Sequence, residues 1–305
     1  MTYINQQEQE FTVATSPYPL IGTMSTETKS LWPTSLIPDA LADTPLFFQR
    51  LIGPEPPSAL ACDSIRDEIL DGSLLACSDG AHEAATGKGS HGWVIASELA
   101  QEIAAAAGPD DGHPYLMSSY RTELGGIIAI LYIIHRICQF YRISKGKATC
   151  YCDNKGAVKN DFTPSPPGIT PFMNTDYDLV IIAQGLLQII PVTILGEWVK
   201  GHYSGPKPEY KHVLNHRVDR LVTRFQTQQP QRFTTLRRPL PPPDYRVRLL
   251  YDNSVITSKY YEILAQAMHE KPMEEFILQK TKWTRYVLHQ VDWPSQERAF
   301  RRLTR

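Results

Sequence analysis

The chain has 305 residues, of which 42% are hydrophobic and 21% are charged, and its formal net charge is −1. These values exclude a chain too polar to bury a core, and the length suffices for one sizeable domain with additions or for two small domains. The charge is uneven: residues 1–199 carry 11 Lys and Arg against 22 Asp and Glu, whereas residues 200–305 carry 20 against 10. This asymmetry is typical of a half that binds a polyanion, or of a tail of solvated basic helices, and both interpretations stay open.

The cysteines and the N-terminus indicate the compartment. Five Cys without paired CxxC motifs predict reduced thiols. Cys150 and Cys152 share one face of a predicted strand, where we expect them to pack in the core. The N-terminus has no signal-peptide pattern, and the longest apolar run, Ile127–Ile134, is shorter than the roughly 18 residues that span a bilayer. We therefore expect an intracellular protein, cytoplasmic or nuclear, that is not secreted and has no membrane partner.

The N-terminal part predicts little regular structure. Residues 1–45 are polar and rich in Thr, Ser and Pro, which is typical of a loose extension. Residues 46–60 are apolar but broken by three prolines, and a short helix is predicted at Ile65–Leu70. We expect the folded core to run from about Ser73 to about Gln228.

Three strands are predicted at the start of this core. Leu74–Ser78 is a short apolar run that we expect to end in a turn at Asp79-Gly80. His91–Ser97 predicts a second strand. Glu102–Ala107 is rich in Ala and would be helical by propensity, but its position favours a third antiparallel strand.

A long helix and a βααβα pattern follow. Ser119–Tyr141 is the clearest helix, because a serine precedes it and apolar residues recur at helical spacing. The later elements are strands at Lys147–Asp153 and Val192–Val199 and helices at Gly156–Asn160, Asp176–Ile189 and His212–Gln226. The order β-β-β-α-β-α-α-β-α predicts a mixed sheet with helices on its faces.

The C-terminal part predicts a linker and a basic tail. Pro239–Pro243 is the linker, and residues 245–305 are expected to be mostly helical. The tail carries Trp283, Trp293 and the basic stretch Arg298–Arg305. The tryptophans are typical of a small helical core and also of a nucleic-acid-binding surface, so both roles stay open.

Four acidic residues lie on core elements where a carboxylate would be held rigidly. Asp79 and Asp153 follow apolar strand runs, and Glu123 lies in the first turns of the long helix. Asp219 lies four residues after Asn215, so the two side chains share one helix face. Taken singly, each acid is also typical of a turn, a helix cap or a solvated helix surface. Together, such carboxylates predict a site for two hard cations that cuts phosphodiesters.

In this order and context the acids resemble those of the ribonuclease H family, type 1, in the form that follows the reverse transcriptase of retrotransposon polyproteins. The resemblance covers about residues 73–228 and implies an α/β, ribonuclease H-like mixed five-stranded sheet flanked by helices. We expect an irregular N-terminal extension at residues 1–70, the catalytic domain at residues 71–230, and a Pro-rich linker with a basic helical tail at residues 231–305.

The resemblance also implies the roles of the site residues. Asp79, Glu123, Asp153 and Asp219 would be catalytic and would bind two Mg²⁺ ions, for which Mn²⁺ is expected to substitute. Asp79 would bridge both ions. His202, in Lys-Gly-His after the last strand, resembles the mobile-loop histidine that helps proton transfer and product release.

The implied activity is hydrolysis of the RNA strand of RNA–DNA hybrids by a retroelement-derived endonuclease. The expected partners are the hybrid and a reverse transcriptase domain of the same element. Two alternatives stay open: a catalytically inactive nucleic-acid-binding remnant of a retroelement, and another nuclease or strand-transfer enzyme on the same fold.

Several stretches depart from the family pattern. Residues 161–175 form a longer, Pro-rich insertion, and residues 203–214 form a long loop. Asp176 and Asp178, at the start of a helix, are expected to be helix caps rather than metal ligands. The basic, Trp-bearing handle of some cellular members is not evident, and four lysines offer a modest substitute: Lys145, Lys147, Lys155 and Lys159.

Overall fold

The computed structural model describes residues 2–4, 10–15, 41, 44–112, 116–163, 175–228, 247–251, 254–259, 263, 274–281, 284 and 290. Several predicted features lie outside these residues. They are the linker at Pro239–Pro243, the tail residues Trp283 and Trp293, the basic stretch Arg298–Arg305, and most of the insertion at residues 161–175. The chain divides into two compact units. One holds Met1 and Thr12–Ser258, and the other holds Thr2–Phe11 and Lys259–Arg305.

The described strands are β1 (Thr2–Ile4), β2 (Glu10–Thr15), β3 (Leu74–Glu83), β4 (Lys88–Ala96), β5 (Glu102–Pro109), β6 (Lys147–Cys152), β7 (Thr193–Trp198), β8 (Val247–Tyr251) and β9 (Ser254–Val255). The described helices are α1 (Leu46–Ile52), α2 (Ala59–Asp71), α3 (Ser119–Tyr141), α4 (Lys155–Phe162), α5 (Tyr177–Ile189) and α6 (Tyr210–Gln228).

Five strands form one mixed sheet in the order β5-β4-β3-β6-β7. β3, β4 and β5 are antiparallel neighbours, whereas β6 runs parallel to β3 and β7 runs parallel to β6. Between residues 73 and 228 the predicted order of strands and helices is confirmed, and so is the α/β fold class, a five-stranded mixed sheet flanked by helices. The long helix α3 has the predicted bounds, and the hydroxyl of Ser118 caps it by accepting from the Arg121 amide.

The turn predicted at Asp79-Gly80 is wrong, because β3 continues to Glu83. Asp79 pairs with Gly92 on β4, and this long-range pairing overrides the local turn preference of an Asp-Gly pair. The hairpin turn comes at residues 84–87 instead, where Gly87 has a φ of 64° that favours glycine. Asp79 therefore lies within the central strand rather than at its end.

The Ala-rich segment is a strand, as predicted from its position. β5 pairs with β4 along its length, with Ala106 opposite Trp93 and Ala105 opposite Val94. Pairing with β4 outweighs the helix propensity of alanine, which amounts to only a few tenths of a kcal/mol per residue.

The helices cover the two faces of the sheet unequally. Helices α1 to α5 contribute to a large apolar core on one face, in which the middle of α3 is fully buried. Helix α6 covers the other face, where Val218 and Val222 pack against Cys77 and Val94. Cys150 and Cys152 are buried, which confirms their predicted packing role, and all five cysteines are free.

Among the described helices, α3 alone is long and apolar enough to cross a membrane. Most of its apolar window is buried against the sheet and the neighbouring helices. Its composition is therefore explained by its place at the centre of the core.

Helix α1 was not predicted, because three prolines interrupt the apolar run that contains it. These prolines lie between Ile52, where α1 ends, and Ala59, where α2 begins. The carbonyl of Leu51 accepts hydrogen bonds from His91 Nε2 (2.9 Å) and from Trp93 Nε1 (3.1 Å). The other ring nitrogen of His91 lies 3.1 Å from Asp110 Oδ1, so a fully buried pair ties α1 to the sheet.

The His91–Asp110 pair holds an extra proton in the folded state. Burial lowers the pKa of His91, but the charge of Asp110 and the hydrogen bonds to Asp110 and Leu51 outweigh it and raise the pKa above its ordinary value. The nearby Asp111 acts in the same direction. Burial also raises the pKa of Asp110. The extra proton therefore stays in the pair, whether His91 or Asp110 carries it.

We expect this pair to make stability fall with rising pH. Its contribution is fully present below about pH 6.5, the unfolded pKa of histidine, and is lost as pH rises through the raised pKa of His91. One proton corresponds to a slope of about −1.4 kcal/mol per pH unit. Urea unfolding of the wild type and of His91→Gln at several pH values would isolate the slope of this pair, and equal slopes for the two proteins would contradict it.

The N- and C-terminal regions also contain strands that were not predicted. β2 pairs antiparallel with β8, and β8 pairs with β9. Val13 lies opposite Leu249, so the pairing joins segments at opposite ends of the sequence, which local patterns do not reveal. Residues 274–280 are helical, in keeping with the predicted helical tail.

Candidate active site

The strand register places Asp79 and Asp153 side by side. Ser78 on β3 pairs with Cys152 on β6. The residue after each of them is an aspartate, Asp79 and Asp153. Asp79 is buried and its Oδ1 accepts a hydrogen bond of 2.8 Å from the Gly80 amide. Asp153 directly follows the last residue of β6 and is half-buried. The two carboxylates therefore stand side by side, one within β3 and the other directly after the parallel strand β6.

Glycines let α3 approach the sheet closely enough to bring Glu123 to the same place. A Cβ on Gly126 would lie 2.6 Å from the Gly92 carbonyl oxygen and 2.9 Å from Ser78 Cβ. A Cβ on Gly80 would lie 2.7 Å from the Glu123 amide nitrogen. Any larger residue at these two positions would push the helix outward. Glu123 is buried as a result.

Burial is the main cause that raises the pKa values of these three carboxyl groups. Burial raises the pKa of Asp79 to about 7, and the charge of Asp153 adds to the effect. Burial and the charges of Asp79 and Asp153 raise the pKa of Glu123 well above its ordinary value. Burial also raises the pKa of Asp153, although hydrogen bonding with Glu123 opposes this. In the part of the chain that the structure describes, no Lys or Arg forms an ion pair with these three acids.

Cys152 lies among these acids, which the sequence analysis did not foresee. Ligand atoms of Glu123, Cys152 and Asp153 lie within 4.8 Å of one another, and the Cys152 thiol donates to Glu123 Oε2 at 3.4 Å. Burial raises the pKa of this thiol well above its ordinary value. The thiol is therefore a neutral hydrogen-bond donor to Glu123, and its position directly before Asp153 was the one signal in the sequence.

Helix α6 brings Asn215 and Asp219 to the open side of the cluster. Asn215 is buried and accepts a long contact of 3.7 Å from Cys77 Sγ. The Asp219 side chain is 31% exposed. His202 is 86% exposed, and its Nδ1 lies 4.0 Å from Asp219 Oδ2. All five predicted site residues thus lie around one place, with His202 on its outer rim.

Asp176 occupies the N-cap position of α5 and Asp178 lies in its first turn, but the predicted side-chain capping is wrong. The side chain of Asp176 makes no capping hydrogen bond at the start of α5. Both carboxylates are fully buried and bind Arg121, with nitrogen–oxygen distances of 2.9 to 3.0 Å. Arg121 Nε also donates to the Asp111 carbonyl at 2.8 Å. The two aspartates therefore anchor the segment that carries Glu123.

The donor set suits a hard divalent cation. Its charged atoms are carboxylate oxygens, which Mg²⁺ and Mn²⁺ prefer over the sulfur of Cys152. Burial and the charges of neighbouring acids raise the pKa values of Asp79, Glu123 and Asp153, and a bound cation would favour their charged forms. Asp79, Glu123, Asp153 and Asp219 are the residues that would hold it.

A scan against protein-family models and a search of curated proteins give no match. Three of the solved structures to which the chain is similar are ribonuclease H structures. The N-terminal RNase H domain of a Mycobacterium tuberculosis protein is 18% identical, with 52% of this chain and 96% of that chain covered and a TM-score of 0.36. RNase H1 from Halobacterium salinarum is 18% identical, with 50% of this chain and 97% of that chain covered and a TM-score of 0.34. LC11-RNase H1 in complex with an RNA/DNA hybrid is 13% identical, with 49% of this chain and 94% of that chain covered and a TM-score of 0.33. At scores of this size, the fold assignment rests on the strand order of the chain itself.

Proposed function

We propose that the chain is a metal-dependent endonuclease that hydrolyses the RNA strand of RNA–DNA hybrids. The observation that carries this proposal is the convergence of Asp79, Glu123 and Asp153, with Asp219 on the open side. Buried carboxylates without an opposing side-chain cation cost stability. Such a cost is typical of a functional site rather than of a structural one.

The four acids would bind two Mg²⁺ ions. When bound, such ions supply activation of an attacking water and stabilisation of the leaving 3′ oxygen. Asp79 is the bridging candidate, because it lies between β4 and β6 on the central strand and its carboxyl interacts with the other three acids. His202, which is exposed beside Asp219, would carry protons between the site and solvent.

The substrate proposal rests on the sequence resemblance together with this site. Discrimination of the RNA strand would come from contacts to its 2′-hydroxyl groups and from the shape of the hybrid. A retroelement origin, a reverse transcriptase domain as partner and an intracellular setting stay predictions. The catalytic domain at residues 71–230 stays a prediction as well.

Cleavage of a labelled RNA–DNA hybrid tests the proposal. We expect loss of the RNA strand alone when Mg²⁺ or Mn²⁺ is present, and no cleavage in a chelator. Duplex DNA and single-stranded RNA of the same sequence are the matched substrates. Their cleavage in preference to the hybrid would point to another nuclease on this fold. Binding of the hybrid without cleavage in any metal would point to the inactive remnant.

A further inference from the structure

A partly exposed indole ring lies directly beside the acidic cluster. Trp198, the last residue of β7, pairs with Cys152, so it neighbours the residue that precedes Asp153. Its Nε1 donates a hydrogen bond of 2.8 Å to the Asp153 carbonyl oxygen. The residue nevertheless remains 42% exposed. Because its N–H is already satisfied, the indole presents only its ring surface to solvent.

The ammonium group of Lys155 lies over this ring. Lys155 begins α4, two residues after Asp153, and its Nζ lies 4.3 Å from the ring centroid of Trp198. Among the described residues, its ammonium group forms no ion pair with a carboxylate. A ring holds a cation in place without neutralising it. Lys155 thus presents a fixed, unpaired positive charge next to a group of negative charges.

A charge in this position suits a phosphate that is not the one being cleaved. Bound metal ions would take the scissile phosphate, whereas the neighbouring phosphates of the same strand need cations from the protein. Lys155 lies two residues after Asp153. It therefore stands next to the nucleic-acid strand whose scissile phosphate the metal ions at Asp153 would bind. We propose that Lys155, positioned by Trp198, binds a backbone phosphate of the cleaved strand adjacent to the scissile one. This inference rests on the proposed function.

The first test compares two lysines of the same helix. Lys159 is also exposed and lies one turn further along α4, so Lys155→Ala and Lys159→Ala remove the same charge from the same surface. Hybrid binding is measured by fluorescence anisotropy in the Asp79→Asn background across a range of salt concentrations. We expect Lys155→Ala to weaken binding about 5- to 10-fold and to lower the salt slope by about one, with a much smaller effect from Lys159→Ala.

The second test addresses the role of the ring. Trp198→Leu should weaken hybrid binding as Lys155→Ala does, and the double variant should be no weaker than either single variant. Lys155→Arg should restore binding, since a guanidinium also stacks on an aromatic ring and binds phosphate. In the otherwise wild-type enzyme, Lys155→Ala should raise KM more than it lowers kcat, because the contact exists before the transition state. Circular dichroism verifies that each variant is folded.

The outcomes separate this subsite from the proposed function. Cleavage by the wild type, together with equal effects of Lys155→Ala and Lys159→Ala, would overturn the subsite and leave the hydrolase standing. Additive effects of Trp198→Leu and Lys155→Ala would overturn the positioning role of the ring. Hybrid binding that depends on Lys155 in a chain that never cleaves would support the subsite and overturn the hydrolase. A folded wild type that does not bind the hybrid would overturn both.

Discussion

Replacing Asp79 with Asn is expected to lower the rate of hybrid cleavage by about 1000-fold or more and, in a chelator, to raise the free energy of unfolding. Asn keeps the shape and the oxygen that accepts from the Gly80 amide, but it removes the negative charge that would hold a divalent cation. Activity should therefore fall while stability rises. This is typical of a site whose buried charges destabilise the fold until a ligand binds.

The sign of the stability change follows from the raised pKa. In the unfolded chain Asp79 loses its proton near pH 4, whereas burial holds its folded pKa at about 7. The folded state therefore loses stability as pH rises between these values, and the loss is complete above about pH 7. At about 1.4 kcal/mol per pKa unit, relief of this cost should stabilise Asp79→Asn by roughly 2–4 kcal/mol at pH 8.

Asp219→Asn is the matched control for this pair of measurements. Its side chain is 31% exposed, so cleavage should fall while the urea midpoint in chelator changes little. The measurements are initial cleavage rates in Mg²⁺ and urea unfolding in chelator at pH 5 and pH 8. Retained cleavage by purified Asp79→Asn would contradict the assignment of this residue. An unchanged or lower stability at pH 8 would contradict the costly burial of its charge.

Replacing Arg121 with Met is expected to destabilise the fold by about 3–5 kcal/mol. Arg121 is the cation that binds Asp176 and Asp178, and all three side chains are almost completely buried. Met fills a similar volume but leaves two buried carboxylates uncompensated, which is the costly way to break a buried ion pair. Urea unfolding at pH 7 measures the loss.

Two further variants make this result specific. Arg66→Met removes a surface arginine that pairs with Asp63 and Asp67, and it should cost less than about 1 kcal/mol. Adding Asp178→Asn to Arg121→Met should recover part of the stability, because it removes one of the two buried carboxylates left without a cation. If Arg121→Met were no more harmful than Arg66→Met, the buried cluster would contribute little to the fold.

The sequence predicted the strands of the five-stranded sheet and the long helix α3 well, because each depends on a local pattern. The apolar spacing of Ser119–Tyr141 and its preceding serine set the bounds of α3 to the residue. Asp153 follows an apolar run that is the complete strand β6. The prediction for Asp79 failed in its local detail, since an Asp-Gly pair is a turn signal that the pairing with β4 overrides.

The remaining features depend on partners that are distant in sequence. Helix α1 is stabilised by the contacts of the Leu51 carbonyl with His91 and Trp93, some forty residues later. Asp176 was interpreted as a helix cap because no local pattern reveals its pairing with Arg121. The contact between Trp198 and Asp153 likewise follows from the register of β6 and β7 rather than from spacing.

The cluster around Arg121 also has a consequence for the order of events during synthesis. The hydroxyl of Thr257 donates to Asp176 Oδ1, and its carbonyl accepts from the Asp176 amide. Thr257 lies well beyond α6, the last helix on the sheet. On the ribosome, every strand of the five-stranded sheet would emerge before this partner of Asp176 is available. The arginine–aspartate cluster that anchors the segment carrying Glu123 is therefore completed late, after the nascent chain has passed Thr257.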